Sequence, residues 1–98
     1  MTIYQYRATV TAASGSVSSS SLRVRGGICR QVFIKANTAT TTFNTTVTDD
    51  SGLEVMRYSA QTGEFNDITA FPMAGVYSIN ITNASADDTF SVYFGVEE

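Results

Sequence analysis

Apolar and polar residues alternate with a period of two along most of this chain, the pattern of strands with one covered face. Residues 3–12 set Tyr4, Tyr6, Ala8, Val10 and Ala12 on one side and Gln5, Arg7, Thr9 and Thr11 on the other. Ser14-Gly15-Ser16 breaks that run. Leu22 and Val24 then alternate with Ser21, Arg23 and Arg25, up to Gly26-Gly27. Ile28, Val32 and Ile34 follow on a face opposite Cys29, Gln31, Phe33 and Lys35. Further strands are predicted near Thr41–Thr48, Leu53–Ser59, Phe65–Phe71, Val76–Thr82 and Thr89–Val96. Asp49-Asp50-Ser51-Gly52, Gln61-Thr62-Gly63, Pro72 to Gly75 and Asn83–Asp88 separate them with residues that suit turns. The Ser18–Ser21 run reads as a loop becoming an edge strand. No helical periodicity of useful length competes. The expected fold is therefore all-β: an antiparallel two-sheet sandwich of jelly-roll or Greek-key type with about eight strands.

Composition narrows what such a domain can do. At 98 residues the chain supports one core, so residues 1–98 are read as one domain, with 1–15 as an N-terminal contact strand or arm. Ser and Thr fill 25 positions, against one Pro, one Lys, no Trp and no His. Without His there is no Ser-His-Asp triad and no imidazole metal ligand. The single Cys29 forbids an internal disulfide and a multi-thiolate zinc site, and it has no base to activate it, so it is expected as a small buried thiol. There is neither a Gly-x-Ser-x-Gly elbow nor a phosphate-binding Gly-x-x-x-x-Gly-Lys loop. Asp49-Asp50, Asp87-Asp88 and Asp67 are oxygen ligands of the calcium-binding kind. Their spacing fits no metal loop, and Asp in turns commonly bonds its own backbone. Neither catalytic nor metal nor cofactor-binding residues are assigned, and the chain is not expected to be an enzyme.

The net charge of −3 conceals an uneven distribution. Residues 1–48 carry five cations and no acid, whereas residues 49–98 carry nine acids and only Arg57. Two arrangements follow: interleaved halves that neutralise each other, or a basic and an acidic face suited to contacts between copies. Six cations and an acidic pI of about 4.7 argue against nucleic-acid binding. No basic segment followed by an apolar run opens the chain, so no secretory signal is expected, and apolar runs of at most three residues exclude a membrane-spanning helix. Three Asn-x-Ser/Thr triplets are expected by chance in so Thr-rich a chain. Tyr4, Tyr6, Tyr58, Phe65 and Phe71 are candidates for a sugar-stacking platform, although a core without Trp also needs aromatic rings. Tyr4, Tyr6, Arg7, Arg23, Arg25 and Phe33 are the candidate interface residues, the long Tyr-rich alternation of the N-terminal segment being the reason to place a contact there.

The runs Leu22-Arg23-Val24-Arg25-Gly26-Gly27 and Val32-Phe33-Ile34-Lys35-Ala36-Asn37-Thr38-Ala39-Thr40-Thr41-Thr42-Phe43 resemble small β-sandwich virion proteins of tailed bacteriophages. So do Val47-Thr48-Asp49-Asp50-Ser51-Gly52, Phe71-Pro72-Met73-Ala74-Gly75-Val76-Tyr77 and Ile81-Thr82-Asn83-Ala84-Ser85-Ala86-Asp87-Asp88-Thr89-Phe90. The resemblance extends over most of the chain from about residue 20. It implies a non-enzymatic structural protein of the virion, made in the host cytoplasm: a capsid decoration or cement protein bridging shell subunits. Its implied partners are the major capsid protein or other virion proteins and further copies of itself. The alternative is a tail- or fibre-associated module that binds a host glycan. No cofactor, nucleic acid or membrane enters either reading.

Overall fold

The computed structural model describes residues 2–98; Met1, part of the N-terminal segment marked as a contact arm, lies outside the described residues. The all-β, antiparallel class is as expected, but the strands number six rather than eight and hydrogen-bond into one sheet. They are β1 (Ile3–Ala12), β2 (Ser18–Ala36), β3 (Thr42–Asp49), β4 (Glu54–Thr62), β5 (Glu64–Thr82) and β6 (Asp88–Glu97), in the order β1-β6-β2-β5-β3-β4.

The difference in count has a local cause. Gly26-Gly27 and the Pro72 to Gly75 segment read as strand ends, yet they are bends inside β2 and β5, which face each other there. Gly26, Gly27 and Gly75 hold φ of 142°, 150° and 100°, and the register slips between Val24 and Gly27. Glycine lets the chain turn there without leaving the ladder. Tyr77 braces the bend: its hydroxyl accepts from Ala74 N at 2.9 Å and donates to Ala74 O at 3.2 Å. Pro72 sits where β5 has a partner on one side only, the place in a sheet that tolerates a missing donor.

Because β2 and β5 bend, the sheet folds over on itself. Phe43 of β3 meets Phe90 of β6 edge-to-face at 4.7 Å, although two strands separate them in the ladder. Around this contact gather Val32, Ile34, Val47, Ile79, Ile81, Val92, Phe94 and Val96, all fully buried. The alternation predicted most of this core. One face was misassigned: a second register shift between Cys29 and Gln31 turns Cys29 inward with Val32 and Ile34, leaving Ile28 only half-buried. Ser18–Ser21 does begin an edge, since this part of β2 pairs with β5 alone.

The ladder interleaves the two halves of the chain. β1, β2 and β3 come from the basic half and alternate in the sheet with β6, β5 and β4 from the acidic half. The halves interleave strand by strand. Arg30 and Glu97, 3.2 Å apart, form an ion pair between them.

Candidate functional site

The outer face of β1, β6, β2 and the first half of β5 brings aromatic, amide and charged side chains together. Register alone builds it as a grid. Arg7 lies opposite Tyr93, Tyr93 opposite Phe33, and Phe33 opposite Asn66. The next row is Gln5, Gly95, Gln31 and Ile68; on the other side run Thr9, Ser91, Lys35 and Glu64.

Tyr93 and Phe33 form a ridge, with ring centroids 5.8 Å apart and planes tilted by 54°. The Arg7 guanidinium sits 4.9 Å above the Tyr93 centroid, in cation–π range, and donates to Gln5 Oε1 at 2.9 Å. Gln31 Nε2 donates to Asn66 Oδ1 at 2.9 Å, so two exposed amides are held in fixed orientation beside the rings. Gly95 supplies no side chain, and a depression of about 230 Å³ opens above it between Ile3, Gln5, Gln31, Phe33 and Tyr93. On the far side of the ridge a second depression of about 410 Å³ is walled by the same two rings, Lys35, Asn37, Thr89 and Ser91. Flat rings, oriented amides and a cation can hold a flat polar ligand. The face has no nucleophile paired with a base.

Of the six candidate interface residues, Arg7 and Phe33 belong to this face. Tyr4, Tyr6 and Arg25 gather elsewhere, where β1 crosses the first half of β2. There the Tyr6 hydroxyl accepts from Arg25 N at 3.3 Å and donates to Glu98 Oε2 at 3.2 Å, with Arg25 5.8 Å from the Tyr4 ring. Arg23 is exposed further along β2. The five aromatics proposed as a sugar platform do not assemble into one. Tyr58 and Phe65 stack at 4.6 Å against the core, and Phe71 packs on it too, far along the chain from Tyr4 and Tyr6. Tyr93 was not singled out by sequence, because alternation marks it only as one outward residue of the last strand.

Tyr58 is instead a latch. Its hydroxyl donates to Asp67 Oδ2 at 2.9 Å, tying β4 to the first half of β5, two segments that share no ladder. Burial first, then the Asp67 carboxylate, pushes its ionisation well above the usual tyrosine range. The Tyr6 hydroxyl, accepting from Arg25 N, ties β1 to β2 at the opposite seam. Cys29 is buried, and its thiol donates to the Gln31 carbonyl at 3.5 Å; burial raises its pKa, the backbone at Gln31 opposes this in part, and Asp67 adds to the rise.

Three loop carboxylates are occupied by hydrogen bonds, Asp49 within its own turn and Asp87 and Asp88 largely from remote segments. Asp49 Oδ1 accepts from Ser51 N, Ser51 Oγ and Leu53 N, and these bonds, the Ser51 hydroxyl foremost, hold its pKa below the usual range. Asp87 accepts from Ser14 N at 2.7 Å. Asp88 accepts from Thr38 N, Thr41 Oγ1 and Thr89 N; partial burial opposes its ionisation, but these bonds outweigh it and lower the pKa. Among the described residues no three His, Cys, Asp or Glu side chains are gathered as a metal site.

No family model matches the chain, and no curated protein is significantly similar to it. Solved structures are similar in fold. FLHE aligns over 98% of this chain and 98% of its own with a TM-score of 0.61 at 9% identity. Chitosan-binding module 1 from the chitosanase/glucanase of Paenibacillus sp. IK-5 aligns over 91% and 76% with a TM-score of 0.58 at 15% identity. The lectin binding domain of lectinolysin, solved with Lewis b, aligns over 92% and 71% with a TM-score of 0.57 at 8% identity. At these identities the likeness is one of fold.

Proposed function

We propose that this chain is a non-catalytic contact module that holds a saccharide on the outer face around Tyr93, displayed on the virion of a tailed phage. The observation that carries the ligand is the half-buried Tyr93–Phe33 ridge on the outer face with Gly95 beneath it and Gln5, Gln31 and Asn66 alongside. Sugar rings present an apolar face to aromatic rings and hydroxyls to amides, so ridge and flanks match two surfaces of one ligand. The two depressions beside the ridge accommodate neighbouring units of an oligosaccharide. Two of the structurally similar proteins are a chitosan-binding module and a lectin domain, which supports a saccharide over other flat ligands. Placement on a virion rests on the sequence resemblance. On the side of fold, we read the bent sheet as two layers in jelly-roll order, β1-β6-β2-β5 over β2-β5-β3-β4.

Glycan-array binding, confirmed by titration calorimetry, tests the ligand. Tyr93→Ala is expected to weaken binding about tenfold or more, and Gly95→Leu to abolish it by filling the depression. A Cβ at Gly95 meets nothing closer than 3.6 Å, so loss of fold is not expected to account for the loss. Absence of binding to any glycan would sink this reading. The capsid-cement reading is favoured by the open β1 edge, and it predicts that purified protein binds empty shells whether or not Tyr93 is intact.

A further inference from the structure

We infer that β1 is the self-association edge of this protein: two copies pair antiparallel through it about a two-fold axis, joining their sheets.

β1 and β4 end the ladder. The β1–β6 register runs from Ile3 to Ala12 without a shift, so β1 is a regular template. The others are interrupted. β4 is set against β3 with two register shifts, and Glu54 and Arg57 form an exposed ion pair along it. The free edge of β5 contains Pro72, and that of β2 stops at the Gly26-Gly27 bend. Edges that stay unpaired are usually blunted by charges, Pro or a bulge, and β1 carries only the single exposed charge of Arg7, with no Lys, Pro, bulge or inward charge.

Its free groups can be assigned. Glu98 N donates to Thr2 O at 3.0 Å, so by alternation the even residues of β1 bond β6. Ile3, Gln5, Arg7, Thr9 and Thr11 thus aim N–H and C=O at the open edge. Their side chains all lie on the outer face. A two-fold axis at Arg7 would set that cation opposite Arg7 of the partner subunit, a destabilising like-charge pair. Moving the axis by one residue sets Arg7 opposite Gln5 of the partner subunit or opposite Thr9 of the partner subunit, both neutral acceptors. In either register four of the five edge-facing residues of β1 meet a residue of the same strand in the second copy, with only Thr11 or Ile3 overhanging, and the contact is isologous, so it closes at two copies. No other edge offers a comparable regular run, which keeps the pair from growing into a fibre. A second copy fits this edge because the strand complements itself, with no other segment required.

Sedimentation velocity of the full chain from micromolar to millimolar concentration tests this. A concentration-dependent dimer is expected. Thr9→Pro removes one edge donor without touching the β6 ladder, and should weaken dimerisation about tenfold or more while leaving the circular dichroism unchanged. Should that variant misfold, the double variant Gln5→Lys with Thr9→Lys keeps every backbone N–H and sets a Lys opposite Arg7 of the partner subunit in either register. It too should be monomeric. A wild-type monomer throughout, or a dimer of unchanged affinity in the folded variants, would overturn the inference.

Discussion

Two tyrosine hydroxyls close the seams that a folded sheet leaves open. Tyr6 spans β1 and β2, and Tyr58 spans β4 and β5. A hydroxyl can donate and accept at the tip of an otherwise apolar ring, which suits a position half in the core. Replacing Tyr58 with Phe keeps the ring on Phe65 and deletes the bond to Asp67. The expected cost is about 1–3 kcal/mol, as for a bond to a charged acceptor. The latch also carries a pH signature. Ionisation of Tyr58 is pushed upward in the folded state, so its stabilisation is fully present below the unfolded tyrosine pKa of about 10 and lost as pH rises beyond it. Chemical denaturation between pH 8 and 12 should therefore show a steeper alkaline loss in the wild type than in Tyr58→Phe. Parallel curves would remove the latch from the account.

At the scale of elements, the glycines decide the architecture. Gly27 holds a φ of 150°, and a Cβ there would run into the Glu97 carbonyl and approach Val96 Cγ1 to 2.9 Å. Gly27→Ala should thus cost about 2 kcal/mol or more, through strain at the bend and displacement of the end of β6. Gly95→Ala, whose Cβ meets only ordinary contacts, should cost less than about 1 kcal/mol; equal thermal shifts for the two would contradict this. The same residues mark what could be read from sequence. Period-two alternation located every strand and nearly all of the core, because side-chain direction is a local property. Whether Gly26-Gly27 ends a strand or bends it depends on β5 lying alongside, which is not local. The bulge that turns Cys29 inward is invisible for the same reason. Arg7 and Phe33 were legible as candidate interface residues, but Tyr93 joins them only through the β1–β6 and β6–β2 registers. Strands were legible, and the site that they assemble was not.

For the molecule as a whole, strand order sets how it must fold. β6 lies between β1 and β2, so the ladder that completes this end of the sheet pairs Ile3 with Glu97 across nearly the whole chain. The pairings of β2 with β5 and β6 are similarly remote, and β3–β4 alone is a tight hairpin. Remote pairing must meet the entropy of loop closure before contacts form, so refolding on a scale of about milliseconds to seconds is expected. The termini offer a direct test. Glu98 N bonds Thr2 O, so a short glycine linker can join them, and a new opening between Gly15 and Ser16 cuts no ladder, since β1 and β2 are not paired. In that permutant β6 and β1 become a local hairpin, while every other pairing keeps its separation. Stopped-flow refolding should be about tenfold faster, with equilibrium stability within about 1 kcal/mol of the parent. An unchanged refolding rate at unchanged stability would mean that β1 docks after the barrier, and that closure of β2 on β5, not of the termini, limits folding.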